Sequence, residues 1–157
     1  MDLRYQLEFY RKEHDEILRF LKEWEDALNL AAGPGEEAPC QALQHLREME
    51  PKLLEIRQHC REEEQNVESP SQIYLDDTAL KRLRQEHETL EELSDCYRSE
   101  LKFVCAPPPT DDLVSIGRRL LAGLRRHIAY EEGLLKQIEE GSEAEEKKFL
   151  RYTQPTE

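Results

Sequence analysis

The stretch "LLAGLRRHIAYEEGLLKQI", residues 120–138, decides the fold. Leu113, Gly117, Leu120 and Leu124 lead into it, and Leu134 and Ile138 close it, at alternating steps of three and four. That is the seam of an amphipathic bundle helix. His127 and Glu131 occupy the same seam, one turn apart. A carboxylate between Leu124 and Leu134 costs several kcal/mol (about 3–5) unless it is paired or binds a cation. The question is what these two polar groups meet inside.

The same periodicity runs through most of the chain. A first helix, roughly residues 3 to 30, carries Leu3, Leu7, Tyr10, His14, Ile17, Leu21, Trp24 and Leu28 before "AAGPGEEAP" breaks it. A second, about 40 to 67, runs through Leu46, Met49, Leu53, Ile56, Glu63 and Val67. Pro51 inside it should kink or split it, because proline lacks a backbone donor. A loop around "ESPSQIYLDD" follows, with Asp76 or Asp77 placed to cap a third helix. That helix, about 78 to 104, aligns Leu80, Leu83, His87, Leu90, Ser94, Tyr97, Leu101 and Val104. "CAPPPTDD" is a linker, and the fourth helix runs from about 112 to 140, stopping at Gly141. The tail "SEAEEKKFLRYTQPTE" opens on a capping-box pattern, Ser142 to Glu145, that would start a short fifth helix. Similar helix lengths and short connections predict an all-α protein, an up-down-up-down antiparallel four-helix bundle. The expected division is 1–141 for the bundle and 142–157 for a polar tail.

The totals set limits on function. The chain has 157 residues, 36% of them charged, and a formal net charge of −13. So acidic a chain is unsuited to nucleic acid or an anionic membrane surface. No apolar run approaches a membrane span, and the N-terminus reads as no signal peptide, which predicts a cytoplasmic protein. Cys40, Cys60, Cys96 and Cys105 form no CxxC pair, so zinc-ribbon and thioredoxin readings fail and reduced thiols are expected.

In an antiparallel bundle, helices 1 and 3 begin at the end where helices 2 and 4 finish. Counted from that end at ~1.5 Å per residue, His14, His59, Glu63, His87, His127 and Glu131 fall at depths of roughly 6–20 Å. Each helix thus sends a histidine to one layer, and two helices add a carboxylate. In a chain this rich in glutamate an HxxxE pair at any one histidine is unremarkable; His87–Glu91 also satisfies it. A lone seam histidine is more often a satisfied core residue than a ligand. Four in one layer, converging with carboxylates, describe a cation site. His45 has no comparable partner and reads as surface.

The ordered set H…HxxxE…H…HxxxE, one element per helix, resembles the hemerythrin-like proteins, or HHE cation-binding domains. His14, "HCREEE" (59–64), "QEHETL" (85–90) and "HIAYEE" (127–132) carry the resemblance, which covers roughly residues 3 to 140. It implies a non-heme di-iron centre. His14 and His59 would hold one iron, His87 and His127 the other, and Glu63 and Glu131 would bridge both beside a solvent-derived oxo or hydroxo group. Other divalent metals fit the same donors. The implied ligand is small: oxygen, nitric oxide or peroxide, or the iron itself as cargo.

Oxygen-carrying hemerythrins have a second histidine on the third helix where this chain has Glu91. Glu91 either supplies an oxygen ligand or points to solvent. Four histidines in place of five leave a more open site, which weighs against reversible oxygen storage. Some relatives place a carboxylate directly after the second-helix histidine; here it is Cys60. At about 100° around the helix from His59, Cys60 is expected to be a packed thiol beside the site and not a ligand. Two other readings compete. A ferritin-like oxidase or peroxidase wants a glutamate three residues before a histidine, and no histidine here has one. A metal-free acidic interaction bundle would tolerate single replacement of each seam histidine.

Overall fold

The computed structural model describes residues 3–35, 37–68, 76–103 and 111–153, with residues 38, 64–68 and 145–153 described by backbone alone. These residues form four helices and no strand: α1 (Leu3–Ala31), α2 (Glu37–Glu68), α3 (Asp77–Phe103) and α4 (Asp111–Thr153). Each helix packs on its neighbour in sequence, and α1 closes the ring against α4. Cross-helix polar pairs run in opposite senses. Arg11 of α1 meets Glu139 of α4, and Asn29 meets Arg118. Arg57 of α2 meets Asp95 of α3, and Glu50 meets Arg98. The bundle is therefore antiparallel, up-down-up-down, as its sequence predicts.

Local chemistry explains the start of α3 and the turn after α1. Asp76 caps α3: its Oδ1 accepts from the Ala79 amide at 2.8 Å and its carbonyl from Leu80 at 3.0 Å. After α1 the chain turns at Gly35, whose φ of 101° suits only glycine. α2 runs through Pro51 unsplit, losing one rung of its hydrogen-bond ladder. The expected stop at Gly141 does not occur. A left-handed cap needs positive φ at glycine, Gly141 has none, and the residues beyond it are strong helix formers, so α4 continues to Thr153 without a separate fifth helix. The linker residues 69–75 and 104–110, with Val104 and Cys105, lie outside the described residues, as does the Val67 side chain.

Two apolar clusters fill the interior. The larger contains Trp24, Leu28, Leu46, Leu101, Leu113 and Leu120. At its centre the Trp24 indole donates to Tyr97 Oη at 3.2 Å, with the rings edge to face at 5.2 Å. Gly117 makes room for this pair: a Cβ there would lie 2.8 Å from Leu28 and 3.2 Å from Tyr97. The smaller cluster joins Leu7 and Leu135, with Leu3, Tyr10 and Ile138 against them. At this end the α4 seam steps from Glu131 to Leu135, leaving Leu134 half-buried. Between the two clusters lies a polar layer.

Candidate metal centre

His14, Glu63, His87, His127 and Glu131 are all buried in that layer, at 9% exposure or less. Each stands on its helix's seam, where the apolar pattern that folds the bundle also turns the side chain inward. His59 stands beside its seam and is half-buried. The seam position next to it belongs to Cys60, which is buried between Ile56 and Glu63 in the packing of α2.

The Nε2 atoms of the four histidines point into a common space. His14 Nε2 lies 2.9 Å from Glu131 Oε2 and 3.8 Å from Glu63 Oε1. His59 Nε2 is in close contact with Glu63 Oε1. On the other side, His127 Nε2 lies 2.6 Å from Glu131 Oε1, and His87 Nε2 lies 3.7 Å from that oxygen and 3.6 Å from Glu63 Oε2. His87 and His127 share a 2.8 Å hydrogen bond between their Nε2 atoms. Each carboxylate thus turns one oxygen toward His14 and the other toward His87.

The donors fall into two overlapping sets whose ligand atoms lie within 4.8 Å of one another: His14, His59, Glu63 and Glu131, and Glu63, His87, His127 and Glu131. A third set joins Cys60 to His87 and His127. Glu91 belongs to none of them. Arg57 holds it with bonds of 2.9 and 2.5 Å, and Arg61 also donates to it. His45 is exposed, near Glu48.

Outside the layer, carboxylates orient the rings. His14 Nδ1 donates to Glu132 at 2.6 Å, His127 Nδ1 to Glu86 at 2.8 Å, and His59 Nδ1 lies 3.2 Å from Glu13. A proton held on Nδ1 leaves the Nε2 lone pair facing inward, the arrangement a metal-binding histidine needs. Sequence reasoning missed these three glutamates. Their signal was adjacency: Glu13 precedes His14, Glu86 precedes His87 and Glu132 follows Glu131. One residue along a helix is about 100° around it, which aims each at the neighbouring helix.

The electrostatics are those of a site built for positive charge. Burial by itself lowers an imidazole, but here the buried acids outweigh it. His14 is raised to about 11 by Glu131 and Glu63, His87 to about 12 by Cys60, Glu131 and Glu63, and His127 to about 10 by Cys60 and Glu131. Burial pushes the carboxylates and the thiol up, and the histidines reverse it. Glu131 falls well below the ordinary carboxylate range, and Glu63 and the Cys60 thiol are also lowered. Without a metal, protons supply the charge that these acids require.

The donors fit a cation on a separate ground. His14 Nε2, His59 Nε2, both oxygens of Glu63 and Oε1 of Glu131 are buried and meet one another only as ion pairs, without a well-directed hydrogen bond. Native interiors rarely leave such atoms without one, and imidazole with carboxylate is a ligand set for iron, zinc or manganese. A cavity of about 250 Å³ between α2 and α3 reaches the layer at Cys60 and His87, lined further by Leu90, Leu120 and Leu124. Among the described residues no helix is long and apolar enough to cross a membrane.

Compared with known proteins, residues 6–138 match the model of the hemerythrin HHE cation-binding domain. No curated protein and no solved structure matches the chain significantly.

Proposed function

The chain belongs to the hemerythrin HHE cation-binding domain family, and from that premise we propose that it is a non-heme di-iron protein that binds a small ligand such as oxygen or nitric oxide. The observation that carries this reading is the division of the carboxylates. Glu63 and Glu131 are members of both four-donor sets, and each turns its two oxygens toward different histidines. Such sharing is what two neighbouring cations need from bridging ligands. His14 and His59 would hold one ion and His87 and His127 the other, with Glu63 and Glu131 common to both.

The donor chemistry fits iron among other metals, and the family favours iron. When bound, the metal pair supplies Lewis acidity and a redox couple. The chain's own groups do the rest. Glu13, Glu86 and Glu132 hold the rings in one tautomer. The two apolar clusters keep water from the layer on either side. The cavity at Cys60 and His87 offers a small molecule a route inward, past Arg57 and Glu91 at its rim. A metal-free interaction bundle fits less well, because it leaves five buried polar atoms in ion pairs without well-directed hydrogen bonds.

The test uses ferrous-loaded protein under anaerobic conditions. Nitric oxide, then oxygen and peroxide in separate samples, should each change the absorption spectrum, and the nitric oxide change should saturate. Iron-loaded protein whose spectrum none of the three alters would contradict the small-ligand reading.

A further inference from the structure

We infer that Cys60 is a thiolate ligand of the metal held by His87 and His127, so that the two metal positions differ in kind. The inference rests on the metal-centre reading above and adds to it. Cys60 Sγ lies within 4.8 Å of a ring nitrogen of both His87 and His127, and those nitrogens lie equally close to each other. Three soft or borderline donors in one small volume can converge on a single ion.

The thiol does not stand alone. The same two histidines face Glu63 Oε2 at 3.6 Å and Glu131 Oε1 at 2.6 Å, and both oxygens are buried without a well-directed hydrogen bond. Cys60 and Glu63 lie three residues apart on α2, so one helical face presents sulfur and carboxylate together. The side chain that could compete for the position from α3 is Glu91, and Arg57 and Arg61 hold it away. Cys60 and His87 line the same cavity. No cysteine reaches His14 and His59 among the described residues. One position is therefore nitrogen and oxygen only, and the other adds sulfur. A thiolate places negative charge on the His87–His127 ion and favours softer metals there.

Cobalt(II) is the probe, because sulfur ligation gives it an intense near-ultraviolet charge-transfer band. Wild-type protein loaded with cobalt should show that band, and X-ray absorption should show sulfur at about 2.3 Å. Joint replacement of Cys40, Cys96 and Cys105 by serine should leave both signals in place. Cys60→Ser should remove both and weaken one of two cobalt-binding steps by at least about tenfold. Wild-type protein that binds cobalt without a sulfur signal overturns the inference and leaves the metal centre standing, as does a signal that survives Cys60→Ser. Wild-type protein that takes up neither cobalt nor iron removes the metal centre and this ligand with it. Should Cys60→Ser fail to fold, the wild-type and triple-serine spectra decide the matter.

Discussion

Around Trp24 the helices meet through side chains that need nothing from outside the chain; around His14, ten residues or ~15 Å back along α1, they meet through groups that do. In the first region apolar burial and a hydrogen bond from Trp24 to Tyr97 join the helices. In the second, buried nitrogens and oxygens crowd together in ion pairs without well-directed hydrogen bonds. The same helical periodicity built both. The first region folds the chain, and the second spends part of that stability on holding charge in a dry place.

Breaking the apolar region should cost most. Trp24→Ala removes a fully buried indole and should destabilise the protein by about 3–5 kcal/mol, with or without metal. Denaturant midpoints on both forms check this. A loss under about 1 kcal/mol would mean that the Trp24 region does not anchor the fold.

Breaking the polar layer should depend on metal. A chelator should lower the stability of purified protein by about 3 kcal/mol where free metal had exceeded Kd a hundredfold. His127→Ala should lower the melting temperature of untreated protein and leave the chelator little further effect. Unchanged melts in both experiments would count heavily against a buried site.

A third effect separates the regions by pH. In metal-free protein His14, His87 and His127 are raised above 6.5. Their contribution is full below 6.5, where folded and unfolded forms are both protonated, and is lost as pH rises toward about 10 to 12. Glu63 and Glu131 are lowered, so their contribution is present above 4.5 and lost as pH falls below it. Metal-free protein should therefore lose stability between pH 6.5 and 9, while metal-loaded protein, with neutral imidazoles, should not follow that slope. Parallel thermal melts across this range would sink the comparison if the two forms behaved alike.

The smallest effect sharpens the boundary between the regions. Tyr97→Phe leaves the Trp24 indole without its acceptor and should cost about 1 kcal/mol. Metal content should stay the same. A loss of metal would show that the two regions are coupled through α3.

Much of this was legible in the sequence. Alternating steps of three and four placed His14, His87, His127 and Glu131 on the buried seam, because side-chain direction on a helix follows from spacing alone. Helix endings were less legible. Gly141 reads as a stop, yet nothing local forces it into positive φ, and good helix formers carry α4 onward. Cys60 was harder still. His59 flanks its seam in the sequence as in the structure, but judging Cys60 by its angle from His59 put the thiol to one side, whereas the packing of Ile56 and Glu63 places it on the seam. Glu13, Glu86 and Glu132 face the histidines of neighbouring helices, and one chain's periodicity does not say which surface residues of adjacent helices meet. The fate of Glu91 turned on Arg57 and Arg61, a choice set by side-chain pairing across α2 and α3.

The most direct test is elemental analysis of the purified protein with an absorption spectrum of the same sample. The account predicts about two irons per chain, with oxo-to-iron charge-transfer bands. A chain that holds no metal, even after anaerobic reconstitution with ferrous iron, would contradict it.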